Sequence, residues 1–336
     1  MPKRLIKKIK GLLSGNTETP IARVIPRGEH DFPEEDIRRS VLTVLDGLTD
    51  AGYEAYLVGG SIRDGLIGLH PKDFDIATSA TPEQIKAVFP RNCRLIGRRF
   101  RLAHVRFGRE ILEVATFRGC HSKSETNENH SSQSEEGMLL RDNVFGTLDE
   151  DAVRRDFTAN ALYYRHTDGA VLDYVDGYED ILHRTLRLIG DPEQRYREDP
   201  VRMLRAVRFA AKLDFDIEPK TAAPIRELSD LLGLIPAARL FEEVLKLFLG
   251  GYAQAVWPLL VEYELARWLF PQSVPEVNNE PGMQAMIDLA LRNTDHRLAQ
   301  GKPVTPAFLL AVLLWGPLQM AWKKEQEKGT HATPAL

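Results

Sequence analysis

Three acidic residues stand where their side chains can act together. Asp73 and Asp75 are two residues apart, and Glu113 interrupts a later apolar run. If the two aspartates lie on one strand, their side chains share a face of the sheet. Carboxylates crowded on one face repel each other unless a cation lies between them, and oxygen ligands favour a hard ion such as Mg²⁺. The spacing therefore predicts a metal site held by Asp73 and Asp75, with Glu113 as the third catalytic acid of a two-metal cluster.

A pair of glycines comes shortly before the aspartates. Gly59 and Gly60 follow a predicted buried strand, and they precede a short predicted helix that carries Arg63. Glycines let backbone N–H groups approach anionic oxygens closely, and an arginine can clamp a phosphate. Alone, an Asp-x-Asp pair is most often a solvated surface pair. Its combination with a strand, a glycine turn and a helix favours a site for a nucleotide triphosphate.

A second set of charges follows Pro200 on a predicted helix. Asp199 and Arg202 share a helical face, and Arg205 and Arg208 continue the same row. A carboxylate accepts a hydrogen bond from an exocyclic amine, and a guanidinium donates to a ring nitrogen. Adenine and cytosine present that combination, whereas guanine and uracil present a carbonyl. The pair therefore predicts selection of A or C without separating them; the alternative is a solvated, salt-bridged helix face.

The composition is that of a globular protein with no apolar run long enough to span a bilayer. Because no export signal is present, Cys93 and Cys120 indicate free thiols in a reducing cytoplasm. The net charge of −4 does not exclude nucleic-acid binding, because charge is clustered. The stretch from Arg91 to Arg109 is rich in arginine and holds no acidic residue.

The pattern of elements predicts an α+β fold in two domains within the 336 residues. Residues 1–28 form a basic, weakly ordered N-terminal segment, for which peripheral contact with a membrane surface or RNA is left open. Residues 29–175 mix helices with a small mixed β-sheet, and residues 118–146 contain a mobile loop. Residues 176–325 follow a helical period and predict an all-helical domain, and residues 326–336 predict a disordered tail.

Two helices of the first half are predicted: one has the apolar stripe Ile37, Val41, Val44, Leu45 and Leu48 and ends at Gly52, and the other runs from a capping box at Thr81–Gln84 to about Phe89. Five strands and the later helices are predicted as well. The predicted strands are Tyr53–Val58, Phe74–Ala77, Arg94–Ile96, Leu102–Phe107 and Ile111–Phe117. The predicted helices of the second half are Val201–Leu213, Thr221–Leu232, Ala237–Leu249, Ala253–Leu269, Gly282–Arg297 and Pro306–Lys324.

The stretch from Val58 to Ile76, with its Gly-Gly-x-x-Arg-Asp sequence, resembles the core motif of the polymerase-beta nucleotidyltransferase superfamily. Its form is similar to the branch that contains bacterial poly(A) polymerases and class II CCA-adding enzymes. The resemblance implies a five-stranded head domain that carries the acids, followed by helical neck and body domains. It also implies that Asp199 and Arg202 are the base-reading pair.

Two further motifs support this resemblance. The sequence from Arg154 to Asn160 resembles the element that links head to neck, which implies that Asp156 braces a hinge and that Arg155 or Asn160 reaches the nucleotide. Arg239 and Glu243 resemble an Arg-x-x-x-Glu element that orients the base-reading arginine; an ordinary i,i+4 helix pair is the alternative. The predicted nucleotide-binding residues are Gly59, Gly60, Arg63, Arg118, Asp156, Asn160, Asp199, Arg202, Arg205 and Arg208.

The arginine-rich stretch bears on the choice between the two relatives. Arg98, Arg99 and Arg101 resemble the Gly-basic-basic-Phe stretch of bacterial poly(A) polymerases, and such a turn can grip RNA phosphates. A solvated basic loop is the alternative. His104, set between strand hydrophobes, is interpreted as a structural histidine with satisfied hydrogen bonds.

The resemblance implies a polynucleotide adenylyltransferase that adds AMP from ATP to RNA 3′ ends without a template and releases pyrophosphate. Two Mg²⁺ ions, ATP and RNA are the expected cofactors and partners, in a cytoplasmic enzyme for which a monomer is favoured. A CCA-adding tRNA nucleotidyltransferase is the alternative enzyme. A truncated, non-catalytic RNA-binding protein is the alternative of another class.

Overall fold

The computed structural model describes residues 21–97, 101–119, 131–133, 139–142, 144–274 and 281–328. The described chain falls into two compact units, the first reaching His183 and the second beginning at Arg184. Most of the predicted N-terminal segment, most of the predicted tail, and both Arg98 and Arg99 lie outside the described residues. The domain limits at residues 28, 175 and 325 stay predictions.

Strands of the first unit form one mixed sheet. The strands of this unit are β1 (Arg23–Ile25), β2 (Ala55–Val58), β3 (Asp75–Thr78), β4 (Cys93–Ile96), β5 (Leu102–Phe107), β6 (Glu110–Thr116), β7 (Ser131–Gln133), β8 (Leu139–Asp142), β9 (Leu162–Arg165) and β10 (Ala170–Asp173). The order in the mixed sheet is β1-β10-β9-β2-β3-β6-β5-β4, and β3 with β6 is the one parallel pair among the described strands of this sheet. Strands β7 and β8 make a separate antiparallel pair.

The helices of the first unit are α1 (Arg39–Asp50), α2 (Gly60–Leu66), α3 (Pro82–Val88), α4 (Leu148–Arg154) and α5 (Gly177–Leu182), with short 3-10 turns at Glu34–Asp36 and Thr158–Asn160. Helix α1 buries the predicted apolar stripe, because Val41, Val44, Leu45 and Leu48 are fully buried. Helix α3 begins at the predicted capping box, where the Thr81 side chain accepts from the Gln84 amide and Gln84 accepts from the Thr81 amide.

The two faces of the sheet are covered differently. Helices α1 and α3 pack against each other and onto the face that carries Ile76 and Val114, both fully buried. Helix α4 covers part of the other face through a second apolar cluster. Its buried members are Tyr56, Val58, Ala77, Phe117, Leu148, Ala152, Tyr163 and Leu172. These residues belong to or adjoin β2, β3, β6, β9, β10 and α4, so the cluster does not extend over β4 and β5.

The α+β class and the mixed sheet are confirmed, but the implied count of five strands is wrong, because eight described strands form the sheet. Strands β1, β9 and β10 are the additions, and each has only three or four residues. Strands β9 and β10 are almost entirely buried and so show no alternation that a sequence pattern can detect, whereas β1 is too short for a pattern, with only Ile25 of its three residues buried. Strand β1 lies within the predicted N-terminal segment, and β7 and β8 lie within residues 118–146, the range that was predicted to contain a mobile loop.

The second unit is helical, as predicted. Its helices are α6 (Pro192–Glu198), α7 (Val201–Leu213), α8 (Pro219–Glu227), α9 (Ala237–Phe248), α10 (Ala253–Glu262), α11 (Ala266–Leu269), α12 (Pro281–Ala299) and α13 (Pro306–Glu327), with a 3-10 turn at Ser229–Leu234. The predicted single helix Ala253–Leu269 is wrong, because Glu264 has a φ of +59° and separates α10 from α11. One parallel strand pair, β11 (Thr185–Leu186) with β12 (Asp216–Ile217), accompanies these helices.

No helix among the described residues is both long and apolar enough to cross a membrane.

Gly177 sets how closely α5 approaches the Thr158–Asn160 turn, and that turn carries a predicted site residue. A Cβ at Gly177 would lie 2.1 Å from the Thr158 carbonyl oxygen. We expect Gly177→Ala to lower Tm and to reduce the free energy of unfolding by about 2 kcal/mol or more, because the backbone must move to admit the methyl group. Scanning calorimetry measures this effect.

The matched control is Gly282→Ala on α12, where a Cβ would meet nothing within 4 Å. This change should leave Tm unchanged or raise it, because alanine favours helix by about 1 kcal/mol over glycine. Equal Tm values for the two variants would contradict the close approach at Gly177.

Candidate active site

The strand register brings two of the three predicted acids side by side. Strand β3 pairs in parallel with β6, and Ile76 lies opposite Val114. Asp75 precedes Ile76 and Glu113 precedes Val114, so these two acids are also cross-strand neighbours. Both point away from the buried face of Ile76 and Val114 and are exposed. Asp73 was expected on the same strand, but β3 begins at Asp75 and Asp73 lies in the bend before it.

The three carboxylates are close enough to affect each other. Desolvation of its carboxyl, then the charge of Glu113, raises the pKa of Asp75; Asp73 adds a smaller effect in the same direction, and Arg155 opposes it. Among the described residues, no three acidic, histidine or cysteine side chains form a ready metal-binding group. The strand register keeps Asp75 beside Glu113, whereas Asp73 lies before the strand. The donor set fits Mg²⁺, which uses one or two protein carboxylates together with substrate phosphates.

Arg155 is the cation beside these acids, and a buried polar network fixes it. Its Nε donates to the Tyr163 hydroxyl at 2.9 Å, and Nε and Nη2 donate to Asp151 Oδ2 at 3.1 and 2.9 Å. Tyr163 in turn donates to Asp151 at 2.6 Å. Burial alone would lower the pKa of Arg155, but Tyr163 and Asp151 outweigh it and raise this pKa. The guanidinium is therefore held charged in one place.

A second guanidinium and the glycine turn adjoin Arg155. Burial lowers the pKa of Arg118, and the positive charge of Arg155 adds a smaller effect in the same direction. The negative charge of Asp151 opposes them but does not outweigh them. Gly59 has a φ of +82°, which favours glycine, and a Cβ there would lie 3.8 Å from Arg155 Nη1. Two neighbouring guanidinium groups beside a glycine turn are suited to a polyanion such as a triphosphate.

Arg63 has a different environment from the one predicted. Its guanidinium is only 2% exposed; Nε donates to Asp64 at 2.8 Å, and Nη1 donates to the Asn160 side-chain oxygen. Asn160 then donates to Asp156 at 3.1 Å. The structure thus brings together the predicted residues Arg63, Asn160 and Asp156, but as a chain that joins α2 to the Thr158–Asn160 turn. Direct contact of Arg63 with a triphosphate stays a prediction.

His104 lies opposite Glu113 across β5 and β6. Its Nε2 is 3.5 Å from Glu113 Oε1, and this buried nitrogen has no hydrogen-bond partner within the described part of the chain. The interpretation of His104 as a histidine with satisfied hydrogen bonds is therefore wrong. The Gly108-Arg109 turn could have predicted this position from the sequence. A two-residue turn pairs Phe107 with Glu110, and this register places His104 opposite Glu113.

In the second unit, the predicted base-reading pair lies at the junction of α6 and α7. Asp199 accepts from Arg239 at 2.9 Å. Arg202 donates to the Arg195 carbonyl at 2.7 Å and to Glu198 at 3.2 Å, and its side chain is 12% exposed. Arg239 thus contacts the carboxylate of the pair, whereas the resemblance implied that it orients the arginine.

The remaining predicted residues are placed as follows. Glu243 pairs with Lys246 at 2.7 Å and not with Arg239 in the described contacts. Arg205 and Arg208 both lie over the Phe209 ring, 5.2 and 4.6 Å from its centroid. Arg101 is exposed and pairs with Glu83 of α3 at 2.5 Å. Arg98 and Arg99 lie outside the described residues.

Comparison with known proteins agrees with this arrangement of head and helical unit. Residues 55–187 match the family described as "Poly A polymerase head domain", and residues 214–276 match "Probable RNA and SrmB- binding site of polymerase A". Poly(A) polymerase I of Salmonella typhimurium is 52% identical over 330 residues, which cover 96% of this chain and 71% of that protein. The chain belongs to the poly(A) polymerase family. It is accordingly a nucleotidyltransferase.

CCA-adding enzymes are similar at lower identity and coverage. That of Lactobacillus helveticus is 37% identical over 69% of this chain and 55% of that protein. The crystal structure of the Bacillus stearothermophilus CCA-adding enzyme in complex with CTP aligns with a TM-score of 0.58 at 33% identity, covering 76% of this chain and 56% of that one. A nucleotide substrate is consistent with these neighbours.

The buried position of Arg63 generates a test of its role. Arg63→Leu should lower Tm and reduce the free energy of unfolding by about 3 kcal/mol, because the side chains of Asp64 and Asn160 would lose the guanidinium that donates to them. Arg184→Ala is the control, since its pair with Asp214 is exposed, with side chains 69% and 94% accessible, and such pairs contribute about 0.5 kcal/mol. An unchanged Tm for Arg63→Leu, together with a raised KM for ATP, would instead support direct triphosphate contact.

Proposed function

We propose that this protein adds AMP from ATP to the 3′-hydroxyl of RNA without a template, releasing pyrophosphate. The observation that carries the proposal is the proximity of opposite charges. Asp73, Glu113 and Arg155 all act electrostatically on Asp75, and both Arg118 and the Gly59-Gly60 turn adjoin Arg155. A metal-bound triphosphate requires carboxylates that bind the metal ions and, next to them, arginines that bind the phosphates.

In this proposal, each group has one task. Asp73 and Asp75 would hold Mg²⁺, which when bound would supply positive charge that neutralises the triphosphate and favours loss of the 3′-hydroxyl proton. Arg155 and Arg118 orient the phosphates, with Arg155 fixed by Tyr163 and Asp151. Glu113 helps to take the proton of the 3′-hydroxyl. The 3′-oxygen then bonds to the α-phosphorus, and the bond from this phosphorus to the β-phosphate bridge breaks, so that pyrophosphate leaves.

Choice of base is assigned to the second unit. Asp199 can accept from the exocyclic amine of adenine, and Arg202 can donate to its ring nitrogen. The contacts of Asp199 with Arg239 and of Arg202 with Glu198 hold both groups at the junction of α6 and α7. Adenine over cytosine is supported by the similarity to poly(A) polymerase I, which exceeds that to CCA-adding enzymes in identity and coverage.

The compartment and assembly are finer points of the proposal. We infer a cytoplasmic enzyme that acts as a monomer on RNA 3′ ends. Cys93 is a free, buried thiol, which is compatible with a reducing compartment. Peripheral membrane contact through the N-terminal residues stays a prediction.

Extension of a labelled RNA tests the proposal directly. The protein is incubated with Mg²⁺ and each of the four nucleoside triphosphates separately, beside an Asp73→Ala variant. Long products with ATP alone, lost in the variant, are expected. Short additions that need both CTP and ATP on a tRNA would favour the CCA-adding alternative, and RNA binding without any extension would favour a non-catalytic RNA-binding protein.

Asp75→Ala should abolish AMP transfer and leave RNA affinity nearly unchanged, because it removes a metal ligand and no phosphate contact. The expected fall in kcat is about a thousandfold or more. Asp50→Ala, at an exposed position of α1, is the control and should retain full activity. Retained turnover in Asp75→Ala would refute the assignment of the metal site.

Arg202→Ala should relax nucleotide choice more than it weakens RNA binding. The ratio of kcat/KM for ATP to that for GTP should fall about tenfold or more, because a lost guanidinium no longer penalises the wrong base edge. Arg197→Ala on α6, whose pair with Glu193 is 48% and 60% exposed, is the matched control. An unchanged ratio in Arg202→Ala would count against base reading by this residue.

A further inference from the structure

We propose that the 3′-terminal segment of the RNA lies over strands β4, β5 and β6, on the face that carries Glu113, and that Arg94 and Arg106 bind its last internucleotide phosphates. The identity of the ligand rests on the proposed function. We call this surface the RNA track; it consists of Arg94, His104, Arg106, Ile111 and Glu113.

The track is the uncovered half of a face whose other half is closed. Over β2, β9 and β10, helix α4 and the apolar cluster around Tyr163 cover this face. Over β4 to β6 the same face is open, because Ile111 is 52% exposed and Glu113 is 53% exposed. The acids therefore stand at the border between the covered and the open half. A polymer whose end reaches them has room on the open side.

Strand register sorts the arginine-rich stretch into two faces. Arg94 is opposite His104, and His104 is opposite Glu113, so these three share the face of the acids. Arg106 is two residues after His104 and shares that face as well. Arg101 is an odd number of residues away and points to the other face, where it pairs with Glu83 of α3.

The charge of this face suits a polyanion. Arg94 and Arg106 are exposed, and neither has an ion-pair partner within the described part of the chain. The Nε of Arg106 donates to the Gly108 carbonyl at 2.8 Å, which orients the guanidinium without neutralising it. Glu110, the other acid of β6, belongs to the opposite face and pairs with Arg38 at 2.7 Å. Among the described residues of β4 to β6, Glu113 is thus the single acid on the track.

The spacing fits the first nucleotides behind a 3′-hydroxyl. Neighbouring strands are about 4.8 Å apart and residues two apart on a strand are about 7 Å apart, which puts Arg94 and Arg106 within about 10 Å of Glu113. Arginine recognises phosphate through several N–H donors. Arginines on the edge strand β4 can also serve only to prevent pairing with other sheets, and the experiment separates that role from RNA binding.

Fluorescence anisotropy with labelled oligoadenylate, in the absence of nucleotide, measures RNA affinity at several salt concentrations. Arg94→Gln and Arg106→Gln should each weaken binding roughly fivefold and lower the salt slope by about 0.7, the value for one lost phosphate contact with a single strand. Arg39→Gln, an exposed arginine on α1, is the matched control with the same charge change. It should bind RNA as the unaltered protein does.

Neutral methylphosphonate linkages locate the contact along the RNA. Placed at the 3′ end, they should weaken binding to the unaltered protein but have little effect on the double variant Arg94→Gln/Arg106→Gln. Placed at the 5′ end, they should weaken both proteins equally. Equal losses in all three single variants, or indifference to the 3′ linkages, would overturn the RNA track. Failure of the unaltered protein to transfer AMP while these binding results hold would overturn the proposed function and not the track.

Discussion

Repulsion between carboxylates on one sheet face is the constraint around which the first unit is organised. The parallel pairing of β3 with β6 forces Asp75 beside Glu113, and Asp73 adds a third charge. In a flexible loop these groups would move apart, but a strand register does not allow it. Arg155 offsets part of the repulsion, and the buried pair of Tyr163 and Asp151 holds it in place. A divalent cation would offset the rest.

The same register aligns the working groups in a single row across the sheet. Tyr163 pairs with Val58, Val58 with Asp75, and His104 with Glu113 and Arg94 on its two sides. The row begins at the buried Tyr163, which accepts a hydrogen bond from Arg155, continues through the two acids, and ends at the exposed Arg94. The covered half of the face holds a cation rigidly, and the open half leaves room for a polymer. In the function that we propose, one sheet would thus supply both a preorganised site and a surface for substrate.

The sequence predicted what depends on local pattern and on motif. Helix α7 and the capping box of α3 agree with their predictions. The spacing of apolar residues along a helix and the hydrogen bonds of a capping box both depend on only a few neighbouring residues. Strand β1 was missed because its partner β10 is far away in sequence. The proximity of Asp75 to Glu113 was predicted from the sequence on the condition that their strands are neighbours, whereas the burial of Arg63 and the contact of Arg239 with Asp199 depend on tertiary packing. The proximity of His104 to Glu113 was predictable from the hairpin turn and was overlooked.

The most direct test of this account measures Tm with and without Mg²⁺, for the unaltered protein and for Asp75→Asn. Since the pKa of Asp75 is raised, its charged form costs stability, and a neutral amide of the same shape should remove that cost. The account predicts that Mg²⁺ raises Tm of the unaltered protein, and that Asp75→Asn has a higher Tm without Mg²⁺ and gains little from it. A lower Tm for Asp75→Asn without the ion, or an equal response of both proteins to Mg²⁺, would contradict it.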